Sequence, residues 1–364
     1  MGKICYILDM TRKVVKLPFL PFDLGKIETK QVLRKEAQAR QALAELKGFA
    51  SVIPNQNILI SAIALQEAKG SSAIENIITT HDELYKNMTA KNGTFNSSAK
   101  EVLNYREAIY KGFSMVKKRA LIRVSDIVSI QETVVENNAG IRRLTGTSLV
   151  NDATGEVVYT PPQDYKELRE LLDNFCRYFN DDENSLWKMA LLHYQFESIH
   201  PFYDGNGRTG RILNILYLIL KNYLDTPILY LSSYIIKHKN DYYTLLQNTR
   251  AKANYEPWIL YILNGIEETA KQTLGKIRAI KELLESTLED AKRKNPKIYS
   301  KELIETIFEN PYSKIDFLVK KLRINRKTAS KYLKELEKEK FLTHLQAGKE
   351  MLYINNKLME ILKK

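Results

Sequence analysis

His200-Pro201-Phe202-Tyr203-Asp204-Gly205-Asn206-Gly207-Arg208-Thr209-Gly210-Arg211 connects two strongly apolar helical stretches. The first, 186–198, is broken by the His-Pro pair, and the second starts near Arg208 and runs on through 212–220. Gly205 and Gly207 permit a sharp turn and a close approach of backbone to a ligand. The first N–H groups of the second helix have no partner inside it, and with the helix dipole they form an anion cradle. Arg208 and Arg211 are three residues apart, so both project near that end, and two guanidiniums beside a cradle suit a polyphosphate. Asp204, just before the turn, is a hard oxygen ligand for a Mg²⁺ that bridges phosphates. His200 stands at the mouth of the loop and has the side chain of a general base near neutral pH. Each residue alone is ordinary. The set points to phosphate chemistry, with a spacing that is neither a Walker A loop nor a G-x-G-x-x-G dinucleotide loop.

Outward from this loop the chain reads as mainly α. Apolar periodicity predicts helices over 26–49, 57–70, 98–118, 125–137, 165–179, 185–198, 208–221, 239–251, 255–274 and 276–292, with a short helical turn over 71–75. The stretch 147–159 breaks the pattern: Thr-Ser-Leu-Val and Glu-Val-Val-Tyr flank Asn-Asp-Ala-Thr-Gly, which predicts a β-hairpin ended by Pro161-Pro162. After Lys-Arg-Lys-Asn-Pro at 292–296 the elements shorten. Helices are expected at 300–309, 313–322 and 325–338, followed by apolar runs at 341–345 and 351–354. Three helices and a terminal hairpin make a winged helix-turn-helix, with Asn325 as the N-cap of its third helix. The expected division is 1–95, an N-terminal helical extension; 96–290, a core with a flap at 145–160 and the motif at 200–211; and 291–364, the winged helix.

Composition narrows the classes. The 364 residues are 44% hydrophobic and 27% charged, which excludes a disordered or low-complexity chain. Two cysteines, Cys5 and Cys176, make neither a disulfide framework nor a cysteine zinc site and fit a reducing compartment. No apolar run reaches the ~18 residues of a membrane helix and no secretory signal is visible, so a cytoplasmic, non-membrane protein is expected. The net charge of +13 is uneven: residues 291–364 hold 19 Lys/Arg against 9 Asp/Glu, a net +10. That asymmetry fits either a polyanionic partner or a solvated lysine-rich surface.

The 200–211 segment resembles the Fic (Fic/Doc) motif H-x-F-x-[DE]-G-N-G-R-x-x-R at every specified position. The family layout, an α-helical core with a β-hairpin flap ahead of the motif, is similar to the order read here. The resemblance implies protein adenylylation: AMP moves from ATP to a Tyr, Thr or Ser hydroxyl of a target protein, the chain itself included. On that basis His200 takes the hydroxyl proton, Asp204 holds Mg²⁺, and Phe202 anchors the loop. Gly205, Asn206, Gly207, Arg208, Thr209, Gly210 and Arg211 hold the phosphates of ATP. Flap residues Thr147, Ser148, Leu149 and Val150 face nucleotide and target, where an edge strand can hold the target by β-augmentation. Tyr242 and Tyr243 resemble a tyrosine pair on the adenine side.

Ser71-Ser72-Ala73-Ile74-Glu75-Asn76 resembles the inhibitory motif [ST]-x-x-x-E-[GN] of regulated family members. Ser71 and Glu75 share a helix face, and Glu75 paired to Arg211 would take the place of the γ-phosphate. Two other functions use the same residues: removal of AMP or transfer of another phosphate-containing group, and a DNA-binding transcriptional regulator whose core senses nucleotide. In the winged helix, Asn325, Arg326, Lys327 and Lys331 are the candidate DNA contacts; a dimerisation or docking role is the alternative, and a homodimer is compatible with either.

Overall fold

The computed structural model describes residues 17–23, 25, 27–53, 55–81, 83–84, 96–150, 154–347 and 350–363, the side chains of 347 and 350 excepted. Helices dominate: α1 (Lys30–Ala50), α2 (Gln56–Ile74), α3 (Ser97–Arg119), α4 (Val124–Val135), α5 (Tyr165–Asn180), α6 (Leu186–Ile199), α7 (Asn206–Leu220), α8 (Ser232–Lys237), α9 (Lys239–Lys252) and α10 (Glu256–Lys294). Between α4 and α5 lies an antiparallel pair, β1 (Leu149–Val150) and β2 (Val157–Tyr159), with Leu149 opposite Tyr159.

Burial explains which helices are central. Every residue of α6 is buried, as is all of α7 except its last residue, Leu220. Helices apolar on all sides have to sit inside a protein, and α3, α4, α5, α1 and α10 wrap these two. The outer helices follow an amphipathic rule. In α1, Val32, Ala39, Leu43 and Leu46 form one buried stripe, and the Thr29 side chain caps the first turn by accepting from Val32 N.

Two expected breaks are absent. The separate turn over 71–75 is the last turn of α2, which runs unbroken to Ile74 because Gly70 is accommodated against Tyr230. The helices expected at 255–274 and 276–292 are one 39-residue helix, α10. Gly275 meets nothing on its open side, and the buried stripe passes through it from Ala270 and Leu274 to Ile277 and Ile280. A single glycine costs a helix only ~1 kcal/mol, which the packing of α10 on α1 outweighs.

The C-terminal region contains α11 (Lys301–Glu309), β3 (Tyr312–Ser313), α12 (Ile315–Leu322), α13 (Arg326–Lys338), β4 (Thr343–Ala347), β5 (Glu350–Ile354) and α14 (Asn356–Lys363). The sheet order is β3-β5-β4, all antiparallel. The first three helices and the β4–β5 hairpin follow in the order expected from the sequence. Asn325 caps α13, its Oδ1 accepting from Thr328 N at 2.8 Å. β3 and α14 were not expected from the sequence. α11 and α14 pack on the body. Asn55 at the start of α2 donates to Glu305 and Glu309, and Gln66 of α2 donates to the Leu362 carbonyl while accepting from Lys276.

Candidate active site

The site is built where α6 ends and α7 begins. His200 caps α6 in the left-handed region at φ 47°, its N–H bonded to Phe196 O. Arg142, fully buried, donates from Nε to His200 O at 2.8 Å and also reaches the Pro162 carbonyl. Phe202 has no exposed surface and packs with Phe196, ring centroids 6.4 Å apart. The Asn206 side chain closes the loop on itself: Oδ1 accepts from Phe202 N at 2.9 Å and Nδ2 donates to Phe202 O at 2.8 Å. That amide is therefore spent on shaping the turn, and what Asn206 offers outward is its backbone N–H. Gly205, at φ +78°, lies where a Cβ would run into Val135.

His200 is 2% exposed, and among the described residues the group its ring meets is the Glu197 backbone. Burial first, then the charges of Arg142 and Arg250, lower its pKa to about 3. The imidazole is thus neutral at physiological pH. Arg250 is held over the Tyr159 ring at 3.9 Å and bonded to Ser198 Oγ and Glu197 O. Tyr159 of β2 donates to Ser198 O at 2.8 Å, which ties the hairpin to the end of α6.

The two arginines differ in their partners. Arg208 donates from Nη1 to Glu101 Oε2 at 2.9 Å and from Nη2 to Asp204 at 3.3 and 3.4 Å. Arg211 donates from Nε to Ser71 Oγ at 2.7 Å, and from Nη2 to Ser71 O at 3.0 Å and Glu75 Oε1 at 2.8 Å. Burial works against the Arg211 charge, but Glu75 foremost, with Tyr105, Tyr242 and Glu197, outweighs it and raises the pKa. The Glu75 carboxylate also rests directly on Gly207, where a Cβ would collide with Oε1. A negative group therefore already lies against the first turn of α7, in the cradle that the dipole and unpaired N–H groups favour for an anion. Asn76 has a different part: at φ 61° it ends α2 in the left-handed conformation that asparagine tolerates.

Asp204 is the exposed member of the loop, its side chain 67% accessible, with Oδ1 accepting from Gly205 N at 2.5 Å. Gln131 holds its carbonyl at 2.9 Å. One open carboxylate next to a phosphate cradle fits Mg²⁺, which binds through one or two carboxylates plus substrate phosphates. Among the described residues no cluster of three metal-ligating side chains occurs.

The other expected residues fall into two groups. Thr147 and Ser148 are buried at the root of the hairpin, the Thr147 carbonyl accepting from Gln163 at 2.9 Å; Leu149 and Val150 form β1, and 151–153 lie outside the described residues. Thr209 and Gly210 point into the packing of α7, Gly210 against Glu197. Tyr242 is not at a surface of the site: it is 2% exposed, its OH 2.9 Å from His193 Nε2, packed on Trp258 beneath Arg211. Tyr243, partly buried, packs edge-on against it. Helical spacing of aromatics here marks core, as it usually does.

Four residues escaped the sequence reading: Glu101, Arg142, Arg250 and Glu197. Glu197 is buried, and burial, offset by Arg211 and reinforced by Glu75, raises its pKa to about 7. Its position three residues before His200 was the only signal; the others are brought in from α3, the hairpin lead and α9, with none.

Similarity to known proteins covers three stretches of the chain. Residues 33–114 match the Fic/DOC family N-terminal description, 121–218 the Fic/DOC family, and 283–358 the C-terminal domain of SoFic-like protein adenylyltransferases. The chain is 26% identical over 174 residues to a protein adenylyltransferase Fic from Aedes aegypti, covering 46% of this chain and 33% of that one. It is 30% identical over 182 residues to one from Nematostella vectensis, covering 46% and 38%. It thus spans about a third of the length of the curated relatives it matches. A Fic family protein from Desulfovibrio desulfuricans G20 superposes with a TM-score of 0.57 at 19% identity, over 90% of this chain and 96% of that one. Fic-1 from C. elegans superposes with a TM-score of 0.51 at 19% identity, over 68% and 73%. The structural likenesses speak to the fold alone; the sequence matches are what show that the chain carries Fic/DOC family domains, followed by a SoFic-like C-terminal domain.

Proposed function

We propose that this protein is an adenylyltransferase that moves AMP from ATP to a Tyr, Thr or Ser hydroxyl of a target protein and is held back by its own Glu75. The observation that carries the reading is the juxtaposition of an anion cradle at the start of α7 with a neutral, buried His200 at the end of α6. The acceptor oxygen attacks the α-phosphorus in line, its proton passes to His200, and the bond to pyrophosphate breaks. Arg208 and Arg211 neutralise the phosphates, and the N–H groups of 206 and 207 orient them. Asp204 would hold Mg²⁺, which when bound neutralises phosphate charge. Glu75, lying on Gly207 and paired to Arg211, keeps the arginine from the γ-phosphate, so ATP binds with its phosphates out of line. A displacement of ~1 Å costs on the order of 100-fold in rate.

The same position of Glu75 favours a second reading, in which the carboxylate aligns a water and the chain removes AMP from a modified target. Intact mass of the Glu75→Gly protein after incubation with ATP and Mg²⁺ separates them. One added AMP per chain, absent in the Glu75→Gly/His200→Ala double variant, supports transfer. No added AMP in Glu75→Gly, with AMP released from a modified target by the wild type, supports removal.

A further inference from the structure

The winged helix packs on the body through α11 and α14, while α13 packs on α12. On its outer side Lys327, Lys331, Lys334 and Lys338 are exposed at intervals of three or four residues, and Arg326 stands at its start. Such intervals place them in one line, ~5–6 Å apart along the axis. Arg326 is paired with Asp316, but Lys327, Lys331 and Lys334 form no ion pair with a described residue. A groove beside them is lined by Lys327, Ser330, Lys331 and Lys334, with Ile315 its one apolar member and Glu335 its one acid. Lys320, Lys321 and Arg323 add positive charge at the end of α12, Lys321 being paired with Glu309.

We infer that this face of α13 is a docking surface for duplex DNA. Protein interfaces are depleted in lysine and centred on apolar or aromatic anchors, and this face has neither an apolar core nor an aromatic anchor in its groove. A line of unpaired lysines on the third helix of a winged helix, with short polar residues on its first turns, fits phosphates flanking a major groove. The charge difference along the chain agrees: most of the +13 lies in this fifth. The inference is independent of whether the catalytic core transfers or removes AMP.

The test is fluorescence anisotropy of the full-length protein with a 20-base-pair duplex of mixed sequence, from 50 to 200 mM salt. About four phosphate contacts give a slope of log K against log salt near −3 to −4, a loss on the order of 100-fold across that range. Lys327→Glu/Lys331→Glu should weaken binding at least tenfold and cut the slope by about 2. Lys117→Glu/Lys118→Glu, exposed lysines at the end of α3, should leave both unchanged. Unfolding midpoints check that each variant is folded, and Lys327→Ala/Lys331→Ala replaces a reversal that is not. Absence of binding at 50 mM salt, or equal losses in the α13 and α3 pairs, overturns the assignment.

Discussion

Arg208 and Arg211 stand one turn apart on α7, both nearly buried, yet they belong to different electrostatic regions. The partners of Arg208 face water, Glu101 at 39% and Asp204 at 67% side-chain exposure, while Glu75 opposite Arg211 is at 12%. Pairs with exposed members are screened and exchange readily, contributing ~0–1 kcal/mol. A pair inside the protein is costly to break from one side, ~3–5 kcal/mol, because the remaining charge is left without a partner. On the proposed function, the outer arginine is the one placed to exchange its carboxylates for an arriving nucleotide, whereas the inner one is held by the end of α2.

The strongest way to break this comparison is to delete the inner arginine. Arg211→Ala should abolish AMP transfer, and the Arg211→Ala/Glu75→Gly double variant should be equally inactive, since a freed cradle without its cation cannot align the γ-phosphate. Activity restored in the double variant would mean that Glu75 acts through something other than Arg211.

Next in size is Glu75→Gly itself. Self-modification should rise on the order of 100-fold, and the folded state should lose ~3 kcal/mol as Arg211 is left buried and unpaired. Thermal unfolding with and without ATP reads both effects: the variant should melt lower alone and gain more from nucleotide than the wild type. Ser71→Ala should act in the same direction but more weakly, because it removes one of the three hydrogen bonds holding the guanidinium.

Glu197 sharpens the contrast through pH. Its pKa rises from 4.5 unfolded to about 7 folded. Below 4.5 both states carry the proton; between there and 7 only the folded state does, so this group's contribution to stability falls as pH rises through that window and stays low above it. Glu197→Gln should flatten that part of a plot of unfolding midpoint against pH, and an unchanged slope would show that the carboxyl does not titrate there. His200, with its pKa lowered to about 3, should give no acid limb between pH 5 and 8. The smallest effect is expected at the outer arginine: Glu101→Ala should change stability by ~1 kcal/mol or less, and any change in the apparent ATP affinity should be in the direction of tighter binding.

Some of this was fixed by the residues alone. The loop at 200–211 could be read because its parts are neighbours in the chain: two glycines, an acid, a histidine and two arginines around one helix start have only one local geometry in which all are useful. The amphipathic stripes and the Asn325 cap likewise depend on spacing within a few residues. Contacts between distant segments decided the rest. Sequence spacing could not tell that Gly70 and Gly275 would be carried through by packing, that Tyr242 would be core, or that the Asn206 amide would close its own loop. Nor could it bring Arg142, Arg250 and Glu101 to the site from three separate elements. Ser71 and Glu75 show the limit most clearly: a short motif made the pairing with Arg211 an expectation, but only the packing of α2 beside α7 laid the carboxylate on Gly207. Local pattern is set by steric and hydrogen-bonding rules over a few residues. The partner of a buried charge is set by whichever group the assembled core leaves within reach.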